Sequence, residues 1–206
     1  MAAARLVRAS GVVTPTRWWL VRHAPIARER RGTIVGRTDV PAELPIDGAV
    51  LRGLLPVAPA WIVSPARRAL STAEALGAAA WTVEPDLREQ DFGAWEGEAW
   101  VDLLRSDRLA AAYLDAYDHV RPPGGESLAD VRDRVWPALE RLAGASLGPD
   151  VVMVTHAGPI RCVLAEILGI PLGSVLKLSL DPLSLSVAES AGESWQVHRI
   201  NQQGFR

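Results

Sequence analysis

The sequence has 206 residues, of which 49% are hydrophobic and 22% are charged, and its net charge is −2. At about 150 residues per domain, this length predicts one domain, 1–206, with a single core. The composition excludes intrinsic disorder and fibrous repeats. Because the charge is slightly negative, we expect no general attraction to nucleic acid or to an anionic membrane surface.

The N-terminal segment contains two arginines but no long apolar run and no small-residue cleavage site, so no secretory signal is predicted. The longest uncharged stretch, 53–66, is interrupted by prolines and is shorter than the roughly 20 residues that cross a bilayer. The single cysteine, Cys162, cannot form an intrachain disulfide, which suits a reducing compartment. We therefore expect a cytoplasmic protein without a membrane span, and the sequence leaves a homodimer open.

Three short apolar runs end at polar or titratable residues. They cover 18–21, 61–63 and 151–155. Runs of this length and composition predict strands of a parallel sheet that is buried on both faces. Weaker strand signals follow at 82–84 and, as a closing pair around a glycine turn, at 184–189 and 195–200.

Helix signals lie between these runs. Ser64 and Pro65 predict an N-cap and a first helical position for a helix that ends at Gly77. Gly158 and Pro159 predict the start of a second helix, which continues to Gly169.

Two further helical segments complete the pattern. Ser127 and Asp130 resemble a capping box for a helix with apolar residues at helical spacing. The segment 98–125, bounded by glycines and prolines, predicts a small helical lid. Alternation of strands and helices then predicts an α/β fold, a three-layer α/β/α sandwich with a mostly parallel mixed sheet.

Three predicted strand ends are followed by cationic or titratable side chains. Arg22 and His23 follow the first, the pair 67–68 follows the second, and His156 follows the third. Ligands bind at this edge of open α/β sheets. Arginines in the first turn of a helix, and a histidine before a helix N-terminus, favour an anionic ligand.

Four segments resemble, in order, the motifs of the histidine phosphatase superfamily, also called the phosphoglycerate mutase-like family. They are 20–25 (LVRHAP), 64–73 (SPARRALSTA), 87–97 (LREQDFGAWEG) and 154–158 (VTHAG). The resemblance spans about two thirds of the chain. It implies the three-layer fold and the hydrolysis of a phosphate monoester through a phosphohistidine.

The resemblance also implies roles for individual residues. His23 is the expected nucleophile, Glu89 the proton donor and His156 a second catalytic contact to phosphate. A neutral imidazole is a suitable nucleophile because it presents a ring nitrogen to phosphorus at neutral pH.

The remaining implied residues bind rather than react. Arg22 and Arg68 are expected to bind phosphate through their guanidinium groups, together with Ala157. Arg37 and Thr38 lie in a segment similar to the next loop of the family and are candidate substrate contacts. The expected partner is a small phosphorylated metabolite.

Two positions depart from the family pattern. Ala24 replaces the usual glycine, and Glu29 stands where many members have an asparagine that contacts phosphate. We expect Glu29 to point away from the site, because a carboxylate would repel phosphate. The four histidines show no short metal-ligand spacing, so we expect neither a metal nor another cofactor.

The short branch that includes alpha-ribazole phosphatases of cobalamin assembly is a closer match than the mutases, and this resemblance implies alpha-ribazole 5'-phosphate as a substrate. Phosphoglycerate mutase-type transfer and a catalytically silent phospho-ligand binding module remain as alternatives. A doubly wound nucleotide-binding enzyme would also place its ligand at the strand ends. No glycine-rich fingerprint and no phosphate-binding loop with lysine follows a strand here, which argues against that class.

Overall fold

The computed structural model describes residues 14–43 and 48–203, and these form one six-stranded sheet between two layers of helices. The strands are β1 (Thr16–Arg22), β2 (Ala60–Val63), β3 (Thr82–Val83), β4 (Asp150–Thr155), β5 (Ser184–Ala191) and β6 (Ser194–Gln203). All the strands expected from the sequence are present, with ends shifted by a few residues at most.

The strand order is β3-β2-β4-β1-β5-β6. The pairs among β1 to β4 are parallel, whereas β5 pairs antiparallel with β1 and β6 antiparallel with β5. The mostly parallel mixed sheet is therefore confirmed. In the register, Arg22 lies opposite Thr155 and Val63 lies opposite Val154. The carboxyl ends of β1, β2 and β4 consequently meet at one edge.

The helices are α1 (Ala49–Leu54), α2 (Arg67–Ala75), α3 (Trp100–Ser106), α4 (Arg108–Asp115), α5 (Leu128–Ala143) and α6 (Ala157–Leu168). One core contains Trp19 and Val21 of β1 with apolar residues of α1 and α2. The other contains Trp18 and Leu20 with residues of α5 and α6. Alternate side chains of one strand thus pack on opposite faces, which confirms three layers.

The start of α2 differs from the expectation. The helix begins at Arg67 with Ala66 as N-cap, so Pro65 is not its first residue and Ser64 is not its cap. The Oγ of Ser64 instead lies 2.7 Å from Nε2 of His156. The cap prediction was wrong because this tertiary contact, made across the sheet, competes with the local one.

The other helix ends follow the sequence more closely. Ser127 and Asp130 form the expected capping box at the start of α5. The helix α6 begins at Ala157, one residue before the expected glycine, and ends at Leu168, with Gly169 as its C-cap in the left-handed region at φ +63°. No helix within the described ranges is both long and apolar enough to span a membrane.

The segment expected to form a lid contains α3 and α4, joined through Asp107. Tyr113 of α4 is buried and packs against Trp95, Trp100 and Phe92. Its hydroxyl donates to Oε1 of Gln90 at 3.1 Å. These contacts attach α4 to the loop that follows β3.

Candidate active site

The edge formed by the carboxyl ends of β1 and β4 brings two histidines together. His23 follows β1 and His156 follows β4, and their ring centroids lie 4.9 Å apart. Both residues are buried, with His23 7% exposed and His156 not exposed. The two strands are adjacent and parallel, so the contact follows from the topology of the sheet.

The hydrogen bond of His23 determines which ring nitrogen can react. Nδ1 lies 2.7 Å from the carbonyl oxygen of Ala24, which can only accept. Nδ1 therefore carries the proton, and Nε2 keeps its lone pair. Burial, followed by the charge of Arg68, lowers the pKa of His23 to about 3. The ring is therefore a neutral base and nucleophile at physiological pH.

His156 has protein partners at both ring nitrogens. Arg68 donates through Nε to Nδ1 of His156 at 3.3 Å, so the ring proton lies on Nε2. Nε2 then donates to Oγ of Ser64 at 2.7 Å. Burial, followed by the proximity of His23 and Arg68, lowers the pKa of His156 well below its ordinary value. This ring is held in one neutral tautomer.

Arg68 is almost fully buried at the start of α2. Besides its bond to His156, it donates to the carbonyl oxygens of Thr38 at 3.0 Å and Gly36 at 2.7 Å. Burial lowers its pKa, and the negative charge of Glu89 opposes that shift. Its neighbours in the hydrogen-bond network are neutral groups, so the guanidinium charge is not cancelled by direct contact.

Arg22 at the end of β1 has a similar environment. It donates through Nη1 to the carbonyl oxygen of Leu180, whereas its buried Nε has no hydrogen-bond partner among the described residues. Burial lowers its pKa, and Glu89 again opposes the shift. The unsatisfied donor is a group that an anion would satisfy.

The site collects cations that lack a carboxylate partner. Three arginines in the described segments are buried or partly buried and have no carboxylate oxygen within 4.0 Å: Arg22, Arg68 and Arg161. Arg161 lies on α6 and donates to the carbonyl oxygen of Leu178 at 3.3 Å. Arg22 donates to the carbonyl oxygen of Leu180, two residues further along, so the two cations lie near each other. Such a group is suited to an anionic ligand.

Glu89 lies beside these arginines, on the loop after β3. Its Oε1 accepts hydrogen bonds from the backbone amides of Gly158 at 3.1 Å and Gln90 at 3.0 Å. Gly158 is in the first turn of α6, where amide groups have no partner within the helix. The carboxylate therefore occupies one of the positions that an anion would take at this helix terminus.

Acidic side chains hold the loop 36–38 in place. Glu96 accepts from the backbone amides of Arg37 and Thr38, each at 2.6 Å, and from the Thr38 hydroxyl. The guanidinium of Arg37 pairs with Glu126 at 2.7 Å and with Asp91 at 3.4 Å. Arg37 and Thr38, the candidate substrate contacts, therefore both bind acidic side chains of the protein.

The other expected residues also have defined positions. Ala157 is buried as the first residue of α6, next to His156. Glu29 is exposed in a short 3-10 helix at Arg28–Arg30. No group of three or more metal-ligating side chains occurs in residues 14–43 and 48–203.

Sequence reasoning did not assign a site role to Ser64 or Arg161. Ser64 was interpreted as a helix cap, and a serine before a proline gives no signal for a contact with a histidine 92 positions away. Arg161 comes five residues after His156, so it lies one helical turn beyond the α6 N-terminus on a helix that was expected. The spacing from His156 was the available signal for Arg161.

Comparison with known proteins identifies the family of this chain. A family model for the histidine phosphatase superfamily (branch 1) matches residues 18–203. The chain is 38% identical over 124 residues to the glucosyl-3-phosphoglycerate phosphatase of Mycolicibacterium vanbaalenii, covering 53% of each. It is 30% identical over 125 residues to the metal-independent phosphoserine phosphatase of Arabidopsis thaliana, covering 59% of this chain and 52% of the relative. The chain thus spans about half the length of these curated relatives.

A solved structure shows the same fold. The alpha-ribazole phosphatase from Shigella flexneri has a TM-score of 0.79 to this chain at 24% identity, covering 91% of this chain and 96% of the other. The family model extends over nearly all described residues, including both strand ends that carry the histidines. The chain therefore belongs to the histidine phosphatase superfamily, branch 1.

Proposed function

We propose that the protein is a metal-independent phosphomonoesterase that acts through a phosphohistidine at His23. The observation that carries this proposal is the neutral, buried His23 ring, whose Nδ1 proton is bound to Ala24 and whose pKa is lowered by burial and by the charges of Arg68 and Arg22. A buried nucleophile next to uncompensated cations suits an anionic substrate.

In the first step, Nε2 of His23 attacks phosphorus, a P–N bond forms and the P–O bond to the leaving alkoxide breaks. The carboxylic acid of Glu89 gives its proton to that alkoxide. In the second step, the Glu89 carboxylate removes a proton from water, whose oxygen attacks phosphorus. The P–N bond breaks and inorganic phosphate leaves, which restores neutral His23.

Arg22, Arg68 and the backbone at Ala157 bind the phosphoryl oxygens. The two guanidinium groups stabilise the charge that spreads over these oxygens in the transition state. His156 donates to phosphate only if the Nε2 proton leaves Ser64, or if the bond from Arg68 opens and Nδ1 takes up a proton, because Nδ1 carries no proton in this tautomer. Without either change, His156 orients Arg68.

The substrate is a small phosphorylated metabolite, and we propose alpha-ribazole 5'-phosphate as the first compound to test. Support comes from the name of the structural neighbour, which shares the fold. The lid, approximately 98–125, is attached to the Glu89 loop, because the Tyr113 hydroxyl donates to Oε1 of Gln90, the residue that follows Glu89. A lid in this place would contact the leaving group. Arg37 and Thr38 contact substrate only if their bonds to acidic residues are exchanged.

Rapid quench with a radiolabelled phosphate ester, in the presence of EDTA, tests the covalent step. The expected product is an acid-labile, base-stable phosphoenzyme in the native protein and no label in His23→Ala. Label that persists in His23→Ala would assign the nucleophile to another residue. If the native protein binds phosphate but shows neither label nor turnover, the catalytically silent binding module is favoured.

The proton-donor role has a separate test. Glu89→Gln keeps the shape of the side chain but donates no acidic proton. We expect kcat to fall on the order of 10² to 10⁴ for glycerol 1-phosphate, whose leaving group is strongly basic, and far less for p-nitrophenyl phosphate. Equal losses for both esters would contradict the proton-donor role.

A further inference from the structure

Arg134 of α5 binds the loop that carries Glu89. Its Nη1 donates to the carbonyl oxygens of Asp86 at 2.5 Å and Arg88 at 2.9 Å, and its Nη2 donates to that of Glu89 at 3.0 Å. One planar cation thus binds three carbonyl groups within four consecutive residues. The Arg134 side chain is 15% exposed, so water does not readily replace these bonds.

Glu126 holds Arg134 in this orientation. Its carboxylate accepts from Nε of Arg134 at 3.2 Å and from Nη2 at 3.0 Å, a two-point contact that fixes the plane of the guanidinium. The same carboxylate accepts from the backbone amide of Asp91 at 3.1 Å, and the Glu126 carbonyl accepts from Nε2 of Gln90 at 2.6 Å. The loop 86–91 is therefore bound from both of its ends.

We propose that Arg134, held by Glu126, is a positioning residue that sets where the Glu89 carboxylate lies. This inference rests on the proposed function, because it assumes that Glu89 transfers a proton. Arg134 contacts the Glu89 backbone, whereas the Glu89 carboxylate contacts Gly158 of α6. Both contacts are needed to define the carboxylate position, since α6 fixes one oxygen and α5 fixes the loop from which the side chain extends.

Proton transfer requires close contact between the acid and the leaving oxygen, whereas attack by His23 does not involve this loop. A loop that is free to shift therefore reduces the rate only where the leaving group needs a proton. Arg134→Gln should lower kcat for glycerol 1-phosphate on the order of 10- to 100-fold, the scale of a misplacement of about 1 Å, with little change for p-nitrophenyl phosphate. Its KM values should stay near those of the native protein.

The matched control is Arg132→Gln on the same helix, where Arg132 pairs with Asp133 and Glu166 and forms no hydrogen bond or ion pair with residues 86–91. This control should leave both rates unchanged. Adding Arg134→Gln to Glu89→Gln should cause no further selective loss, because the group being positioned no longer donates a proton. A purely structural role would instead lower the rates for both esters together.

The outcomes separate this inference from the proposed function. If Glu89→Gln shows the selective loss but Arg134→Gln lowers both rates equally, or neither, the positioning role is wrong. If Glu89→Gln lowers the rates for both esters equally, the proton-donor role of Glu89 is wrong, and the positioning role that rests on it is overturned as well. Should Arg134→Gln fail to fold, Arg134→Lys decides, because lysine keeps the charge but cannot bind all three carbonyl groups: a selective loss supports the positioning role, and an equal loss or no loss overturns it.

Discussion

The backbone amide of Gly158 donates a 3.1 Å hydrogen bond to Oε1 of Glu89, and a β-carbon at Gly158 would lie 2.3 Å from that same oxygen. The absence of a side chain at this position therefore allows the carboxylate to approach the first turn of α6. Since Glu89 has a flexible side chain, it would move rather than the helix.

Gly158→Ala should displace the Glu89 carboxylate with little cost in stability, because alanine favours a helix over glycine by about 1 kcal/mol. We expect a selective fall in kcat for glycerol 1-phosphate, of the same sign as in Glu89→Gln, and an almost unchanged Tm. Gly53→Ala in α1 is the control, since a β-carbon there meets nothing within 4 Å. Unchanged kinetics in Gly158→Ala would show that the carboxylate position is not limiting.

Ser64→Ala should destabilise the protein, because it removes the acceptor of the buried Nε2 proton of His156. A buried donor without a partner costs about 1 to 3 kcal/mol in the free energy of unfolding. Chemical denaturation measures this loss. Ser184→Ala is the matched control, because the Ser184 Oγ is buried without a hydrogen-bond partner in the described residues. Equal losses in the two variants would contradict the proposed Ser64–His156 bond.

The low pKa of His23 predicts how stability depends on pH. Its pKa of about 3 lies below the ordinary 6.5, so between these values the unfolded chain binds more protons than the folded one. Stability is therefore complete above about pH 6.5 and is lost as the pH falls towards 3, by about 1.4 kcal/mol per pH unit for one histidine. His156 acts in the same direction.

Denaturation curves of the native protein and of His23→Gln between pH 7 and pH 4 test this dependence. The native protein should lose stability more steeply as the pH falls, because only the native protein contains His23. The carboxylates that titrate in this range are common to both proteins and contribute equally. Parallel curves would mean that His23 titrates normally in the folded state. NMR of the imidazole should show His23 still neutral at pH 5.

The uncompensated arginines predict that inorganic phosphate or vanadate stabilises the protein and inhibits it competitively. A ligand at 100 times its Kd adds about 2.7 kcal/mol to the free energy of unfolding, which appears as a higher Tm. Arg22→Met should lose most of this shift, measured against its own Tm without phosphate. Arg199→Met should keep it, because Arg199 is exposed on β6. A full shift in Arg22→Met would place the anion at another site.

Most of the strands and helices, and the order of the motifs, could be predicted from the residue pattern alone. Short apolar runs marked the strands, because a strand buried on both faces has no room for polar residues. The capping box at Ser127 was readable, because both of its partners lie within one helical turn. The candidate residues His23 and His156 could be placed at one edge, because parallel neighbouring strands share their carboxyl ends.

The hydrogen-bond partners of the site residues could be identified only from the folded structure. The assignment of Ser64 as a helix cap failed because its partner, His156, is 92 residues away in sequence. The tautomer of His23 depends on the direction of the Ala24 carbonyl, which no residue pattern encodes. In the sequence, Arg134 is one of several charged residues on an amphipathic helix. Its bonds to the loop 86–91 are visible only in the tertiary structure. Hydrogen bonds are short-ranged and directional, so long-range contacts such as these are fixed only when the packed layers bring the groups together.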